Sequence, residues 1–268
     1  MKARAVLVVL ALLAPPVTAA SPRRIVSINP CTDAILMHVA DAGQIAGISY
    51  YSKIARSSSI TPAQAARFTA TSGTAEEVVA LAPDLVIAGA HVAPATVSAL
   101  RRLNIDLLQL GVADTIAQSR DQIRQIAAAT GHPDRGNRLN ARIDDAVAAA
   151  RPAGAPVPAL IWQGGGLVPG SGTLADELLR TTGFRNLSAD YGLSQWDVLP
   201  LEYLVARPPR LLYTVGDRSG TDRVLGHRVL RPLANRVAMR QFPEKLLFCG
   251  GPTIIDAVAH LFAARATL

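Results

Sequence analysis

The sequence predicts an α/β protein of two lobes with mainly parallel sheets, joined by a long interlobe helix. A short helix that opens on Glu76 is stopped by proline and leads into an apolar strand, and the same pattern recurs at Glu202. Strands and helices alternate in both halves of the chain, which is typical of parallel sheets covered by helices. A helical stretch from about residue 134 to 151 separates the halves. The crevice between two such lobes is a usual place for a small ligand.

Residues 1–20 have the pattern of a secretory signal peptide. Lys2 and Arg4 precede an apolar run over residues 5–14, and small residues follow up to Ala20. The apolar run is too short to span a bilayer as a helix, and no cysteine lies at the junction to carry a lipid anchor. We therefore expect export into a bacterial periplasm, with a soluble mature chain that begins near Ser21.

The first lobe is predicted over residues 22–132. Short apolar runs and helix-start signals define its elements. The predicted strands cover residues 24–28, 44–48, 85–88 and 106–110, and the predicted helices cover 32–40, a short segment at Glu76, 94–103 and 115–130.

The interlobe helix is predicted over residues 133–153 and the second lobe over residues 156–268. Several prolines between residues 152 and 158 end the helix. The predicted strands of the second lobe cover 159–162, 210–215 and 245–248, and its helices cover 173–182, a short segment at Glu202, 226–235 and 252 to the C-terminus. A helix between the lobes, in place of flexible strands, predicts a stiff hinge.

Composition narrows the class of function. Half of the residues are hydrophobic, 18% are charged and only 4% are aromatic, which is a globular composition. The formal net charge is +7, but the arginines are scattered, so the sequence does not favour a nucleic-acid partner. We expect a monomer.

The chain resembles the periplasmic substrate-binding proteins with a helical interlobe backbone, which serve importers of cobalamin, haem and iron–siderophore chelates. The match is carried by residues 24–30, 76–88 and 123–149 and by the segment at Glu202. The resemblance implies the fold of a class III periplasmic binding protein and a receptor without catalytic activity. It also implies no cofactor, a metal chelate as ligand, and an ABC permease with its ATPase as partners.

In that family one glutamate on each lobe pairs with arginines of the permease, and by position these resemble Glu76 and Glu202. Glu77 could substitute for Glu76. A local role is the alternative, because acidic residues in the first turn favour the helix dipole and Thr74 with Glu77 matches a capping box.

Candidate ligand-binding residues lie in loops after the predicted strands, where open α/β sheets bind their ligands. They are Tyr50, Tyr51, His91, Trp162, Gln163, Trp196 and Arg218. The aromatic side chains favour flat apolar walls for a large ligand, although a tryptophan at a strand end can also cap the core. Few arginines lie in these loops, which favours a corrinoid over a highly charged chelate, with haem or a hydroxamate siderophore next.

The sequence leaves open the roles of its two cysteines and of His91. An exported pair such as Cys31 and Cys249 is usually oxidised, but two separate buried thiols, or thiolate contact with a bound chelate, also fit the sequence. His91 could contact haem iron or a corrin side chain. No group of histidines has the spacing of a metal site, so we expect no resident metal.

An exported hydrolase is the distant alternative, because a glycine-rich segment surrounds Ser171. A phosphate loop would need lysine where Ser171 stands. A nucleophile elbow would need glycine where Pro169 and Thr173 stand. We therefore expect no catalytic residue, and the segment fits a turn or a close backbone approach to a ligand.

Overall fold

The computed structural model describes residues 21–216 and 236–268. The first lobe is built on a five-stranded parallel sheet with the strand order β3-β2-β1-β4-β5. These strands are β1 Ile25–Ser27, β2 Ile45–Ser49, β3 Ala70–Thr71, β4 Leu85–Ala88 and β5 Asp106–Gln109. The helices of this part are α1 Pro30–Val39, α2 Pro62–Ala66, α3 Ala75–Ala80, α4 Pro94–Arg102 and α5 Ile116–Ala129.

The second lobe has a four-stranded parallel sheet with the order β11-β10-β6-β8 and a separate antiparallel pair, β7 and β9. Its strands are β6 Val157–Trp162, β7 Leu167–Pro169, β8 Phe184–Asn186, β9 Trp196–Val198, β10 Leu211–Val215 and β11 Ala238–Phe242. Its helices are α7 Leu174–Thr181, α8 Leu187–Asp190, α9 Leu201–Ala206 and α10 Thr253–Arg265. The prediction of an α/β fold with mainly parallel sheets is confirmed.

Helix α6, Pro133–Ala149, connects the two halves in chain order and packs against α1, α5 and α10. Gly136 allows α5 and α6 to approach closely, because a Cβ atom there would lie 2.5 Å from the Cβ of Ala127. One hydrophobic cluster contains Ile25 of the first sheet, Ile143 of α6 and Ile161 of the second sheet. Both lobes and α6 therefore contribute to one packed core.

Two predicted elements differ from the structure or lie outside its described part. The predicted strand 245–248 is wrong, because Glu244–Leu246 forms a 3-10 turn and the strand is β11. A short apolar run does not by itself distinguish strand from turn. The actual strand, β11, lies at the edge of the sheet and contains the polar residues Arg240 and Gln241, so it is not an apolar run. The predicted helix 226–235 lies outside the described residues. Within the described ranges, no helix is both long and apolar enough to cross a membrane.

Candidate functional site

Two exposed tyrosines stand at the carboxyl end of the first sheet. Tyr50 and Tyr51 open the 3-10 turn Tyr50–Lys53 directly after β2. Their side chains are 53% and 58% exposed, and their ring centroids lie 5.9 Å apart. β1 is the parallel neighbour of β2, so Cys31, in the first turn of α1, lies at the same edge of the sheet.

The turn that carries the tyrosines is held from both ends. The buried Asp33 accepts hydrogen bonds from the Ser49 amide (2.9 Å) and the Ser52 hydroxyl (2.6 Å). Lys53 donates to the carbonyl oxygens of Ala65 and, at 2.7 Å, Phe68. Tyr50 and Tyr51 are therefore presented on a fixed support.

The carboxyl group of Asp33 has an unusually high pKa. Burial raises the pKa of its carboxyl to about 7, although the nearby Ser27 hydroxyl and the hydrogen bonds from Ser52 and Ser49 act in the opposite direction. Its Oδ1 atom has no hydrogen-bond partner in the described part of the chain. A buried acid with this pKa changes charge in the neutral range.

Two aromatic side chains of the second lobe lie near the first lobe. Trp196 and Phe248 are 38% and 51% exposed, with ring centroids 6.3 Å apart. Phe248 precedes Cys249, and Cys249 is joined in a disulfide to Cys31, with 5.1 Å between the Cα atoms. We call Tyr50, Tyr51, Trp196 and Phe248 the aromatic rim.

Sequence reasoning missed Phe248, because it placed this residue inside a predicted strand. The structure leaves the side chain exposed, directly before the loop that contains Cys249. Phe248 directly precedes Cys249, a residue that the sequence places near the cleft, and this neighbour could have indicated Phe248 as a site residue.

The prediction that Trp162 forms a wall of the cleft is wrong. Its side chain is 0% exposed and packs in a core cluster with Leu160, Val168 and Leu204. Gly166 allows this packing, because a Cβ atom there would lie 3.3 Å from the Trp162 ring. The tryptophan at this strand end caps the core, which is the alternative stated above.

The remaining predicted ligand residues have different surroundings. Gln163 is half-buried, and its amide nitrogen has no hydrogen-bond partner among the described residues. His91 is exposed in the segment after β4, and the described ranges hold no cluster of three or more metal-ligating side chains. Arg218 lies outside the described residues.

A cavity of about 680 Å³ lies at the carboxyl ends of β10 and β11. Gly216 and Phe242 line it from the second lobe, and Ala55 and Arg56 line it from the first, just after the tyrosine turn. Ligand sites commonly have volumes of roughly 300–1,000 Å³. Lys245 and Glu244 also line this cavity, which therefore combines apolar groups with side chains of both charges.

Ser171 does not have the surroundings of a nucleophile. Its hydroxyl donates to the Leu193 carbonyl oxygen at 3.3 Å, and its backbone pairs with the same segment. A nucleophilic serine needs a base within hydrogen-bond distance, and none of its hydrogen bonds to described residues involves one.

The two helix-opening glutamates are placed alike. Glu76 in α3 and Glu202 in α9 are both exposed in the first helical turn. Neither forms an ion pair within the described ranges. Glu77, in contrast, accepts hydrogen bonds from the Ser72 amide (2.6 Å) and the Thr71 hydroxyl (3.0 Å). These bonds lower the pKa of Glu77 and commit it to a local role.

The fold and the cleft define a two-lobed receptor for a small solute, and the comparisons identify the group to which it belongs. The sequence profile of a periplasmic binding protein family matches residues 25–237. The chain is therefore a member of that family, and it is a binding protein, not an enzyme. Membership places it in the periplasm or outside the cell.

Known relatives agree with this assignment. A cobalamin-binding protein of Halobacterium salinarum is 26% identical over 204 residues, which are 72% of this chain and 54% of the relative. The chain thus spans about half the length of that relative.

Two solved structures have the same fold. The periplasmic haem-binding protein RhuT from Roseiflexus sp. RS-1 has a TM-score of 0.77 and 23% identity, covering 90% of this chain and 97% of that protein. The periplasmic vitamin B12-binding protein BtuF of Vibrio cholerae has a TM-score of 0.71 and 19% identity, covering 92% and 98%.

Proposed function

We propose that this protein is the solute-binding component of an ABC importer and that it captures a metal chelate of the tetrapyrrole type between its lobes. The aromatic rim carries this proposal. In a chain with only 4% aromatic residues, one exposed aromatic pair follows β2 in the first lobe, and a second exposed pair lies beside the disulfide that joins the lobes. Flat rings of this kind suit the faces of a large, flat, mainly apolar ligand.

A corrinoid is our first candidate. The cobalamin-binding relative supports it. Haem is the second candidate, because Tyr50, Tyr51 and His91 offer side chains of the types that bind haem iron. Arg56 and Lys245 line the cavity beside a single acidic residue, Glu244, so its lining carries a net positive charge that suits carboxylate groups on the ligand. A ferric siderophore is the third candidate.

Delivery of the ligand requires contact with a permease. We propose that Glu76 and Glu202 dock to cationic side chains on its periplasmic face. The proposal is supported by their exposure, their lack of ion pairs within the described ranges and their equivalent positions on the two lobes. Exposed carboxylates of this kind gain charge-assisted hydrogen bonds on binding to arginine.

Calorimetric titration of the mature protein with cyanocobalamin, haemin and a set of ferric siderophores tests the ligand class. We expect one-to-one binding of a tetrapyrrole and weak or no binding of the siderophores. Tight binding of cyanocobalamin alone would select the corrinoid, and tight binding of haemin alone would select haem. Selective binding of a siderophore, or binding of nothing in the panel, would contradict the proposed ligand class.

A further inference from the structure

A second cavity, of about 150 Å³, lies where α1, α6 and the first turn of α10 meet. Ser59 and Gln64 line it from the first lobe, and Lys245 and Thr253 line it from the second. Arg142 contributes from α6. The lining thus combines residues of both lobes and of the helix that connects them, and only Lys245 is shared with the larger cavity.

Two cations line this cavity, and the described residues offer neither of them an ion pair. Neither Arg142 nor Lys245 forms an ion pair with a described residue. Asp256 also lines the cavity, but no ion pair joins it to either of them. The Ser59 hydroxyl donates to the Lys245 carbonyl oxygen at 3.2 Å, which holds the lysine-bearing turn against the first lobe. Arg142 and Lys245 are both exposed, and two cations without an ion pair to a described residue in the lining of one cavity favour an anionic ligand.

A buried hydroxyl in the same lining points to a ligand independently of the charges. Thr253 is only 4% exposed, and its Oγ1 atom has no hydrogen-bond partner in the described part of the protein. Such groups are rare in folded proteins, because a buried donor without a partner costs free energy. Thr253 is the first residue of α10, a 13-residue helix whose N-terminal end adds positive potential.

We propose that this cavity binds a small oxyanion, of which inorganic phosphate is the simplest representative. Arg142 and Lys245 supply the positive charge, and the Thr253 hydroxyl supplies a hydrogen-bond donor. One water occupies roughly 30 Å³ in the liquid, so the cavity has room for a tetrahedral oxyanion together with ordered water. Binding there would connect both lobes through the anion.

His38 lines the same cavity, so a change in its pKa can report that an anion has bound. Burial and the neighbouring Arg142 guanidinium lower the pKa of His38 in the free protein. An oxyanion next to the ring would stabilise the imidazolium form and raise that pKa.

The test is a phosphate titration of the purified protein at constant ionic strength, maintained with sodium chloride and followed through the His38 ring signals by NMR. His38→Gln assigns the signals. We expect a saturable shift and a rise in the His38 pKa. Arg142→Gln and Lys245→Gln should each weaken phosphate binding about tenfold or more. Thr253→Val should weaken it without changing the charge.

Arg138→Gln is the matched control, because Arg138 is an exposed arginine one turn earlier on α6 and does not line the cavity. This variant should bind phosphate as the unchanged protein does. A response that does not saturate, that chloride alone reproduces, or that is the same in Arg142→Gln as in Arg138→Gln would overturn the proposal. No chelate is present in this assay, so its outcome does not depend on the transport function proposed above.

Discussion

Cys31 and Cys249 are joined by a disulfide between residues that lie 218 positions apart in the chain. Cys31 belongs to the first turn of α1, and Cys249 lies just before α10. The bond therefore connects the two halves of the molecule beside Phe248 of the aromatic rim. It also fixes the spacing of the helix ends that border the junction of the lobes.

Removal of this disulfide should destabilise the protein. The cross-link closes a long loop and so restricts the unfolded chain, and loss of a native disulfide typically costs about 2–5 kcal/mol. Urea unfolding of the oxidised protein and of the double variant Cys31→Ser, Cys249→Ser should show this difference in the free energy of unfolding. The chain has only these two cysteines, so a reductant should destabilise the unchanged protein and leave the double variant unaffected. Coincident unfolding curves for the two proteins would contradict the prediction.

Truncation of the aromatic rim should weaken ligand binding without unfolding the protein, because its side chains are 38% to 58% exposed and lie outside the buried core. Stacking of one ring is worth about 0.5–1.5 kcal/mol beyond area burial, so Phe248→Ala and Trp196→Ala should each raise the Kd of the tetrapyrrole at least several-fold. Calorimetric titration measures this change. Tyr203→Ala is the control, because Tyr203 is an exposed aromatic residue in α9 and does not belong to the rim. Equal affinities in Phe248→Ala and Tyr203→Ala would remove the rim from the proposed site.

The sequence largely predicts the fold, but it does not predict which of the candidate site residues are exposed and which are buried. The short apolar run at residues 85–88 predicts a strand, and β4 in the structure has the same limits. Trp162 was placed correctly at the end of a strand. The covering of its ring by residues such as Leu204 of α9, however, is a tertiary property that no local pattern encodes. Phe248 was missed for the converse reason, because an apolar run gave no sign that its last residue is exposed.

Replacement of both docking glutamates should separate ligand capture from transport. The double variant Glu76→Ala, Glu202→Ala should bind the ligand with unchanged affinity, because neither residue lines a described cavity. It should fail to support uptake in cells, because the charge-assisted contacts with the permease are lost. Glu77→Gln removes the adjacent charge on α3, and we expect it to retain transport because Glu77 is bonded to Ser72 and Thr71. Normal uptake by the double variant would contradict the docking proposal.

Asp33 should make the stability of the protein depend on pH. In the unfolded chain its carboxyl ionises above the ordinary pKa of about 3.8, whereas in the folded protein burial raises the pKa to about 7. The folded state therefore binds more protons between these pH values, so the contribution of Asp33 to the free energy of unfolding falls as the pH rises through this window. The expected loss is on the order of a few kcal/mol, and Asp33→Asn should remove it. Urea unfolding at pH 5, 6.5 and 8 measures the slope, with the exposed Asp145→Asn as control. A slope that is the same in the unchanged protein and in Asp33→Asn would show that Asp33 is not its source.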